Sequence, residues 1–353
     1  MSVDLEVLDE SADASWTGPI LEVDDLHVSF ATEEGTVTAV RGVSFEVHAD
    51  EILGVVGESG SGKSVSMLAA FGLLPKSATV SGSVRFKGEE LLGPKNKIVR
   101  RLRGDRMAMI FQDPLTALNP VHKVGDQIGE AIMAHQPGLT RRAVDARAIE
   151  MLDLVGIPRP AVRAKQYPHE YSGGMRQRAM IAMAIANDPD LIVADEPTTA
   201  LDVTIQAQVL EVLEDIQKRT GAAIVFITHD LGVIAQLADR VQVMYAGRAA
   251  ELAAVDDIFF RPMHPYTRGL LDSIPTLDSD GSEQLRPIPG SPPSMLVPPG
   301  GCAFHPRCPR AIEVCSSVQP ELRVLEGEHV SACHVGDEMQ AELDAGNSTE
   351  GDR

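Results

Sequence analysis

The sequence is poor in aromatic residues and has no long apolar run. Aromatic residues make up 4% of the 353 residues, and Trp16 is the only tryptophan. No stretch of about 18 apolar residues occurs, so no membrane-spanning helix is expected. Residues 1–16 lack both the basic and the apolar region of a signal peptide. We therefore expect a chain that works in the cytosol, where its cysteines stay reduced unless they bind metal.

The sequence also has few positively charged residues relative to negatively charged ones. The chain has 31 Lys and Arg against 51 Asp and Glu, which gives a formal net charge of −20. Arginines gather at Arg100, Arg101, Arg103 and Arg106, but other residues interrupt them. Proteins that bind nucleic acid usually carry a dominant basic stripe. Nucleic acid is therefore not expected as a partner.

The chain divides into segments of different composition. Apolar strand-like runs alternate with helix-like runs in its first three quarters, which predicts an α/β fold with a sheet covered on both faces. A mostly helical subdomain is expected over about 113–186. Prolines and glycines then mark a linker, and the cysteines follow it. The expected segments are a disordered acidic arm (1–19), the α/β domain (20–274), the linker (275–301), a four-cysteine appendage (302–335) and a disordered tail (336–353).

A glycine-rich loop follows the strand-like run Ile52–Val56. Residues 57–64 read GESGSGKS and fit the phosphate-loop pattern G-x-x-x-x-G-K-S without a mismatch. Such a loop turns its backbone N–H groups toward phosphates, and the helix that follows adds positive potential. The lysine can reach the β- and γ-phosphates, and the last serine can ligate Mg²⁺. The residues expected to bind the nucleotide here are Gly57, Ser59, Gly60, Gly62, Lys63 and Ser64.

A second motif delivers two carboxylates at the end of an apolar run. Leu191–Ala194 is predicted to be a buried strand, and Asp195 and Glu196 follow it directly. Ligands of α/β proteins bind at the carboxyl ends of the strands. Asp195 is expected in the coordination shell of Mg²⁺. Glu196 is expected to act as the general base that polarises the attacking water.

A third segment identifies a family that the chain resembles. Residues 171–178, YSGGMRQR, resemble the signature motif of ABC transporter ATPases, which usually reads L-S-G-G-Q. Tyr171 and Met175 replace the usual leucine and glutamine, whereas Ser172, Gly173 and Gly174 are retained. The resemblance implies an ABC-type P-loop nucleotide-binding domain with a mixed sheet and a helical subdomain. It also implies that these three residues contact ATP held by a second subunit, in a head-to-tail dimer that hydrolyses ATP.

Further residues match the same family. Gln112 resembles the Q-loop glutamine, Asp202 the D-loop aspartate at the dimer interface, and His229 the switch histidine that contacts the γ-phosphate. The resemblance thus implies catalytic roles for Gln112, Glu196 and His229. Phe30 falls where relatives stack an aromatic ring on adenine, although it could equally be a core residue at a strand end.

Two elements resemble the dipeptide and oligopeptide importers within that family. Residues 111–120, FQDPLTALNP, are similar to their extended Q-loop, and residues 264–271, HPYTRGLL, to their C-terminal element. The resemblance implies a peripheral subunit on the cytoplasmic face of the membrane. Its expected partners are a second ATPase subunit, two permease subunits and an extracytoplasmic substrate-binding protein. Importers of this class also carry nickel complexes or oligosaccharides, so these cargoes stay open.

The four cysteines lie within a short segment after the linker. Cys302, Cys308, Cys315 and Cys333 could hold either zinc or an iron–sulfur cluster, and their spacing does not decide between them. Residues 301–309, GCAFHPRCP, resemble the segment of peptide-importer ATPases that carries a [4Fe–4S] cluster. The resemblance favours that cluster, with zinc as the alternative.

Two other functions compete with transport. One is a soluble ABC ATPase that acts on nucleic acid or ribosomes, against which the acidic balance and the single ATPase cassette argue. The other is a subunit that binds ATP without turnover, against which the retained Glu196 and His229 argue.

Overall fold

The structure is a computed structural model, and it describes residues 16–93, 97–199, 201–274 and 287–350. Most of the expected acidic arm, the first part of the expected linker and the last three residues lie outside the described residues. None of the helices in the described ranges is long and apolar enough to cross a membrane.

A four-stranded antiparallel sheet forms one layer, in the order β2-β1-β4-β5. Its first two strands in the chain, β1 and β2, form a hairpin around a short turn. The strands are β1 (Leu21–Thr32), β2 (Gly35–Val47), β4 (Ala78–Phe86) and β5 (Glu89–Glu90).

A second sheet has eight strands in the order β11-β12-β10-β9-β3-β8-β7-β6. Its parallel part runs from β9 to β6, and the two central strands β3 and β8 are buried at every position, as expected for strands covered on both faces. The strands are β3 (Ile52–Val56), β6 (Met107–Ile110), β7 (Leu191–Asp195), β8 (Ala223–Ile227), β9 (Arg240–Tyr245), β10 (Arg248–Ala254), β11 (Arg323–Glu326) and β12 (His329–Ser331).

Helices pack around this sheet and also form a region of their own after β6. Thr140 caps one of them, because its hydroxyl accepts the amide of Ala143 at 3.3 Å. The helices are α1 (Lys63–Ala70), α2 (Ile98–Leu102), α3 (Pro114–Ala117), α4 (Val124–His135), α5 (Arg141–Leu154), α6 (Pro160–Arg163), α7 (Gly173–Ala184), α8 (Val203–Thr220), α9 (Leu231–Leu237), α10 (Val255–Phe260), α11 (Pro265–Leu271) and α12 (Gly336–Glu350).

The cysteine-bearing segment joins the main sheet. Strand β12 pairs with β10 through Glu251–Ser331 and Leu252–Val330. The appendage therefore continues the sheet of the α/β domain. Short 3-10 turns over His305–Arg307 and Glu313–Ser316 complete it.

The C-terminal residues correct one expectation. The sequence predicts a disordered tail from residue 336, but Gly336–Glu350 is the helix α12. Met339 on this helix is 1% exposed. Two bidentate ion pairs, Arg323–Asp337 and Arg310–Glu342, fix the helix to the appendage. Tertiary contacts thus order a segment whose polar composition gives little sign of structure.

Candidate active site

The phosphate loop connects β3 to α1, and its glycines are needed by geometry. Gly57 has φ 146°, and a Cβ there would meet the carbonyl oxygen of Met244 at 2.1 Å. Gly62 has φ 99°, and a Cβ there would meet the carbonyl oxygen of Ala39 at 2.6 Å. Any other residue at these positions would force the backbone apart.

Lys63 lies inside this loop. Its ammonium donates to the carbonyl oxygens of Gly57 at 2.6 Å and Glu58 at 3.1 Å, and the residue is 6% exposed. Burial lowers the pKa of Lys63, whereas the carboxylates of Glu196 and Asp195 act to raise it. The lysine is therefore a cation surrounded by acceptors, in position to meet an anion bound over the loop.

Ser64 and Asp195 meet although 131 positions separate them in the sequence. The serine hydroxyl donates to the Asp195 carboxylate at 2.7 Å. Burial raises the pKa of Asp195, and the bond from Ser64 acts to lower it. Two adjacent oxygen ligands from a hydroxyl and a carboxylate fit the preference of Mg²⁺.

Three elements converge on the Glu196 carboxylate. Gln112 Nε2 and Thr199 Oγ1 both donate to Oε2 at 2.9 Å, and His229 Nδ1 lies 3.3 Å from Oε1. Glu196 also has φ 47°, a backbone conformation that costs energy for a non-glycine residue and clusters at functional sites. The predicted catalytic residues Gln112, Glu196 and His229 therefore form one constellation. Thr199 was not predicted as a site residue, and its only signal in the sequence is its place three residues after Glu196.

These groups face a cleft of about 610 Å³. A larger cavity of about 830 Å³ lies between Leu74, Val80 and Leu91, and none of the groups that face the cleft lines it. The candidate site is therefore identified by its lysine, carboxylate and histidine side chains and not by the volume of the cavity. The cleft is lined by Ser59, Gly60, Ser61, Gly62, Lys63, Ser64, Val65, Gln112, Glu196, Thr199 and His229.

The predicted signature residues lie apart from this cleft. Ser172 caps α7, and its hydroxyl accepts the amide of Met175 at 3.3 Å. Neither Ser172 nor Gly173 nor Gly174 lines the cleft of its own chain. Asp202, the predicted D-loop residue, caps α8 by accepting the amide of Ile205 at 3.0 Å.

Phe30 is not among the residues that line the cleft. It lies on β1, half-buried, against the apolar cluster beneath the antiparallel sheet. Its contacts are those of a core residue at a strand end, and a role in stacking on adenine stays a prediction.

The four cysteines lie in the C-terminal appendage. Cys315 and Cys333 are buried, Cys302 and Cys308 are partly exposed, and none forms a disulfide. Burial raises the pKa of Cys302, Cys308 and Cys333, and the neighbouring thiols add to the rise. Within the described residues no group of three or more His, Cys, Asp or Glu side chains could hold a metal ion. The geometry therefore gives no support to the expected metal centre.

Comparison with protein families gives two matches. The model described as "ABC transporter" matches residues 40–199, and the model described as "Oligopeptide/dipeptide transporter, C-terminal region" matches residues 250–315. A dipeptide transport ATP-binding protein of Bacillus subtilis is 52% identical over 90% of this chain and 95% of its own length. The chain belongs to the ABC transporter ATP-binding family. The resemblance expected from the sequence is thereby confirmed.

Other relatives of this family member differ in length. An oligopeptide transport ATP-binding protein of Salmonella typhimurium is 49% identical over 89% of this chain and 93% of its own length. One of Mycobacterium tuberculosis is 52% identical over 94% of this chain but only 53% of its own length. The chain thus spans about half the length of the mycobacterial relative and nearly all of the other two.

Solved structures confirm the expected fold. A dimeric ATP-binding cassette in a post-hydrolysis state with ADP and phosphate has a TM-score of 0.60 at 23% identity, covering 67% of this chain and 98% of that one. A subunit of a Clostridium perfringens ABC transporter complex has a TM-score of 0.58 at 25% identity, covering 69% and 91%. The mixed sheet with its helical region is the fold of an ABC ATPase cassette.

Proposed function

We propose that this chain hydrolyses ATP and thereby drives the import of dipeptides or oligopeptides through partner permease subunits. The observation that carries the proposal is the convergence of Gln112, Thr199 and His229 on the Glu196 carboxylate, in the cleft that also contains Lys63. The names of the relatives reported above specify peptide transport. They favour peptide over nickel complexes, oligosaccharides or a soluble non-transport ATPase.

The arrangement assigns a task to each residue in the cleft. The phosphate loop and Lys63 bind and orient the phosphates, and Ser64 with Asp195 would hold Mg²⁺, which neutralises phosphate charge when bound. Glu196 accepts a proton from the attacking water, while Gln112 and Thr199 orient the carboxylate through their hydrogen bonds. His229 lies against the other oxygen of the same carboxylate and lines the cleft, and the family resemblance assigns it to the γ-phosphate. Positioning and charge neutralisation suffice for this reaction, without a covalent intermediate.

The partners belong to the same proposal. The signature residues stand outside the cleft of their own chain, which supports a head-to-tail arrangement with a second ATPase subunit. A groove of about 320 Å³ between the sheet and the helical region exposes 40% of Phe111, directly before Gln112. An apolar groove next to a catalytic glutamine supports docking of a permease subunit there, at the cytoplasmic face of the membrane. A substrate-binding protein on the other side would supply the peptide.

The cysteine segment adds a finer proposal. We propose that Cys302, Cys308, Cys315 and Cys333 hold a [4Fe–4S] cluster, with zinc as the alternative. The support is the resemblance of residues 301–309 to the cluster-bearing segment of peptide-importer ATPases, together with four thiols that form no disulfide. The positions of the described side chains do not by themselves form such a site. Iron, sulfide and zinc analysis of protein purified without oxygen tests it. About four irons per chain support the cluster, whereas one zinc or no metal contradicts it.

Transport activity is tested in proteoliposomes that contain the chain with its permease and ATPase partners. We expect ATP hydrolysis to rise when peptide-loaded binding protein is added, together with uptake of labelled peptide. ATP turnover without peptide uptake, but with uptake of a nickel complex or an oligosaccharide, would contradict the cargo. An absence of ATP turnover would contradict the enzymatic proposal itself.

A further inference from the structure

A partly buried ion pair joins the phosphate loop to the C-terminal appendage. Arg307, between Cys302 and Cys308, donates from Nη1 to Glu58 Oε2 at 2.7 Å and from Nη2 to Oε1 at 2.9 Å. Glu58 is the second residue of the phosphate loop. The Arg307 side chain is 6% exposed and that of Glu58 is 25% exposed. A bidentate pair between an arginine and a carboxylate is a strong and geometrically specific contact.

Arg307 is itself held in place from several sides. Its Nε donates to the carbonyl oxygen of Pro289 at 2.9 Å, and Nη1 also donates to the Tyr245 hydroxyl at 3.2 Å. The guanidinium lies 5.9 Å from the ring centre of Tyr245 and 6.0 Å from that of Phe304. An arginine fixed in this way resists displacement, so it restrains the glutamate that it binds.

The backbone of Glu58 is held as well. Its N–H donates to the Tyr266 hydroxyl at 2.9 Å, and its carbonyl accepts from Lys63 at 3.1 Å. Tyr266 is fully buried and its ring lies 4.5 Å from that of Tyr245 and 5.3 Å from that of Phe304. One aromatic cluster therefore supports both the arginine and the hydroxyl that hold this residue of the loop.

We propose that Arg307 is a positioning residue for the phosphate loop: it fixes Glu58 so that the loop is preorganised for ATP. This inference rests on the proposed function, because it assumes that the loop binds ATP. Without Arg307 the Glu58 carboxylate loses its arginine partner beside the phosphate site, and the loop keeps only the backbone contacts of Glu58 with Tyr266 and Lys63. Binding of ATP then weakens, whereas the groups around Glu196 keep their geometry.

The test compares steady-state ATP hydrolysis of Arg307→Met, Arg307→Lys, Glu58→Gln and the double variant Arg307→Met/Glu58→Gln with the unmodified full chain. The matched control is Arg310→Met, which removes a bidentate arginine–glutamate pair from the same appendage, but one that binds Glu342 on α12. Each variant is also unfolded with denaturant, so that a loss of stability is separated from a change in kinetics.

We expect Arg307→Met to raise the KM for ATP about tenfold with kcat changed less than about twofold, as for a loss of ground-state binding. The KM of Arg307→Lys should lie between those of the unmodified chain and Arg307→Met, because lysine keeps the charge but cannot form the bidentate contact. The KM of the double variant should be lower than that of Arg307→Met, because the unpaired carboxylate of Glu58 is gone.

An unchanged KM in a folded Arg307→Met, or an equal rise in the KM of Arg310→Met, overturns the inference. If Arg307→Met does not fold, an unchanged KM in Glu58→Gln overturns it. An unmodified chain that neither binds nor hydrolyses ATP instead contradicts the proposed function.

Discussion

The Glu196 carboxylate joins side chains from three parts of the site. Glu196 stands at the end of β7, its backbone has φ 47°, and its carboxylate is reached from Gln112, Thr199 and His229. A conformation of this cost persists only when the surroundings fix it. The contacts that fix it are also those that would orient a general base toward water.

At this scale the first prediction concerns Glu196→Gln. The amide keeps the size of the side chain but cannot accept the proton of the attacking water, so kcat should fall by at least about 100-fold. ATP binding should be retained because Lys63 and the phosphate loop are untouched. Turnover is measured by phosphate release and binding by equilibrium titration. Glu211→Gln, on the exposed face of α8, is the matched control and should behave like the unmodified chain. Turnover above one tenth of the unmodified rate contradicts the role of Glu196.

At the scale of single elements, α11 begins with a buried histidine. His264 is 3% exposed, and its Nδ1 accepts the amide of Tyr266 at 3.0 Å. Burial lowers the pKa of His264 from 6.5 to about 4. The folded chain therefore holds this side chain neutral at pH values where the unfolded chain protonates it.

This shift predicts a dependence of stability on pH. The pKa of His264 in the folded chain lies below its value in the unfolded chain. Its contribution to the free energy of unfolding is therefore fully present above pH 6.5 and is lost as the pH falls toward 4. The free energy of unfolding should fall by about 2 kcal/mol from this group between about pH 7.5 and 5. His264→Asn keeps a side-chain acceptor for the helix N-terminus but does not titrate. The free energy of unfolding of this variant should therefore fall by about 2 kcal/mol less over the same pH interval. Denaturant unfolding at the two pH values measures this loss. An equal loss in the unmodified chain and in His264→Asn would show that His264 is not the group responsible.

Helix α12 gives a second prediction at this scale. Met339 is 1% exposed, so Met339→Ala should lower the free energy of unfolding by about 2–4 kcal/mol through lost burial and a cavity. Met133, which is 36% exposed on α4, offers a control of the same residue type. Met133→Ala should cost less than about 1 kcal/mol. Denaturant unfolding measures the free energy of unfolding of both variants. An equal decrease in the two would mean that Met339 on α12 is not buried as described.

At the scale of the whole molecule, the signature glycines bear on assembly. A Cβ at Gly173 meets no heavy atom within 4 Å, whereas one at Gly174 would meet Ile205 Cγ2 at 2.6 Å. Substitution of Gly173 is therefore compatible with the folded chain. Its effect on activity would then test whether this surface faces a second subunit in the proposed head-to-tail dimer.

Gly173→Asp should keep the stability of the chain, because an acidic residue in the first turn is favourable for a helix. ATP binding to the cleft of the same chain should also be kept. ATP hydrolysis should fall by about 100-fold, since the new charge repels the phosphates of ATP held by the facing subunit. Gly138→Asp is the control, because a Cβ at Gly138 likewise meets nothing within 4 Å. Normal hydrolysis by Gly173→Asp would contradict the head-to-tail arrangement.

The sequence by itself determined the parts that are local. The phosphate loop needs particular residues at consecutive positions, and the buried strands β3 and β8 are continuous apolar runs. The Thr140 cap and the carboxylates after β7 follow from short-range chemistry in the same way. These features could be read from neighbouring residues because neighbouring residues create them.

Only the tertiary structure decided the contacts between distant segments. Thr199 on Glu196, the pairing of β12 with β10 and the ion pair of Arg307 with Glu58 join positions that no local pattern relates. The helix α12 belongs with them, since buried Met339 and ion pairs from the appendage hold a polar segment that composition alone predicts to be disordered. A side chain's partner across the fold depends on how the whole chain packs, and that packing is decided by the sum of burial and charge over all its segments.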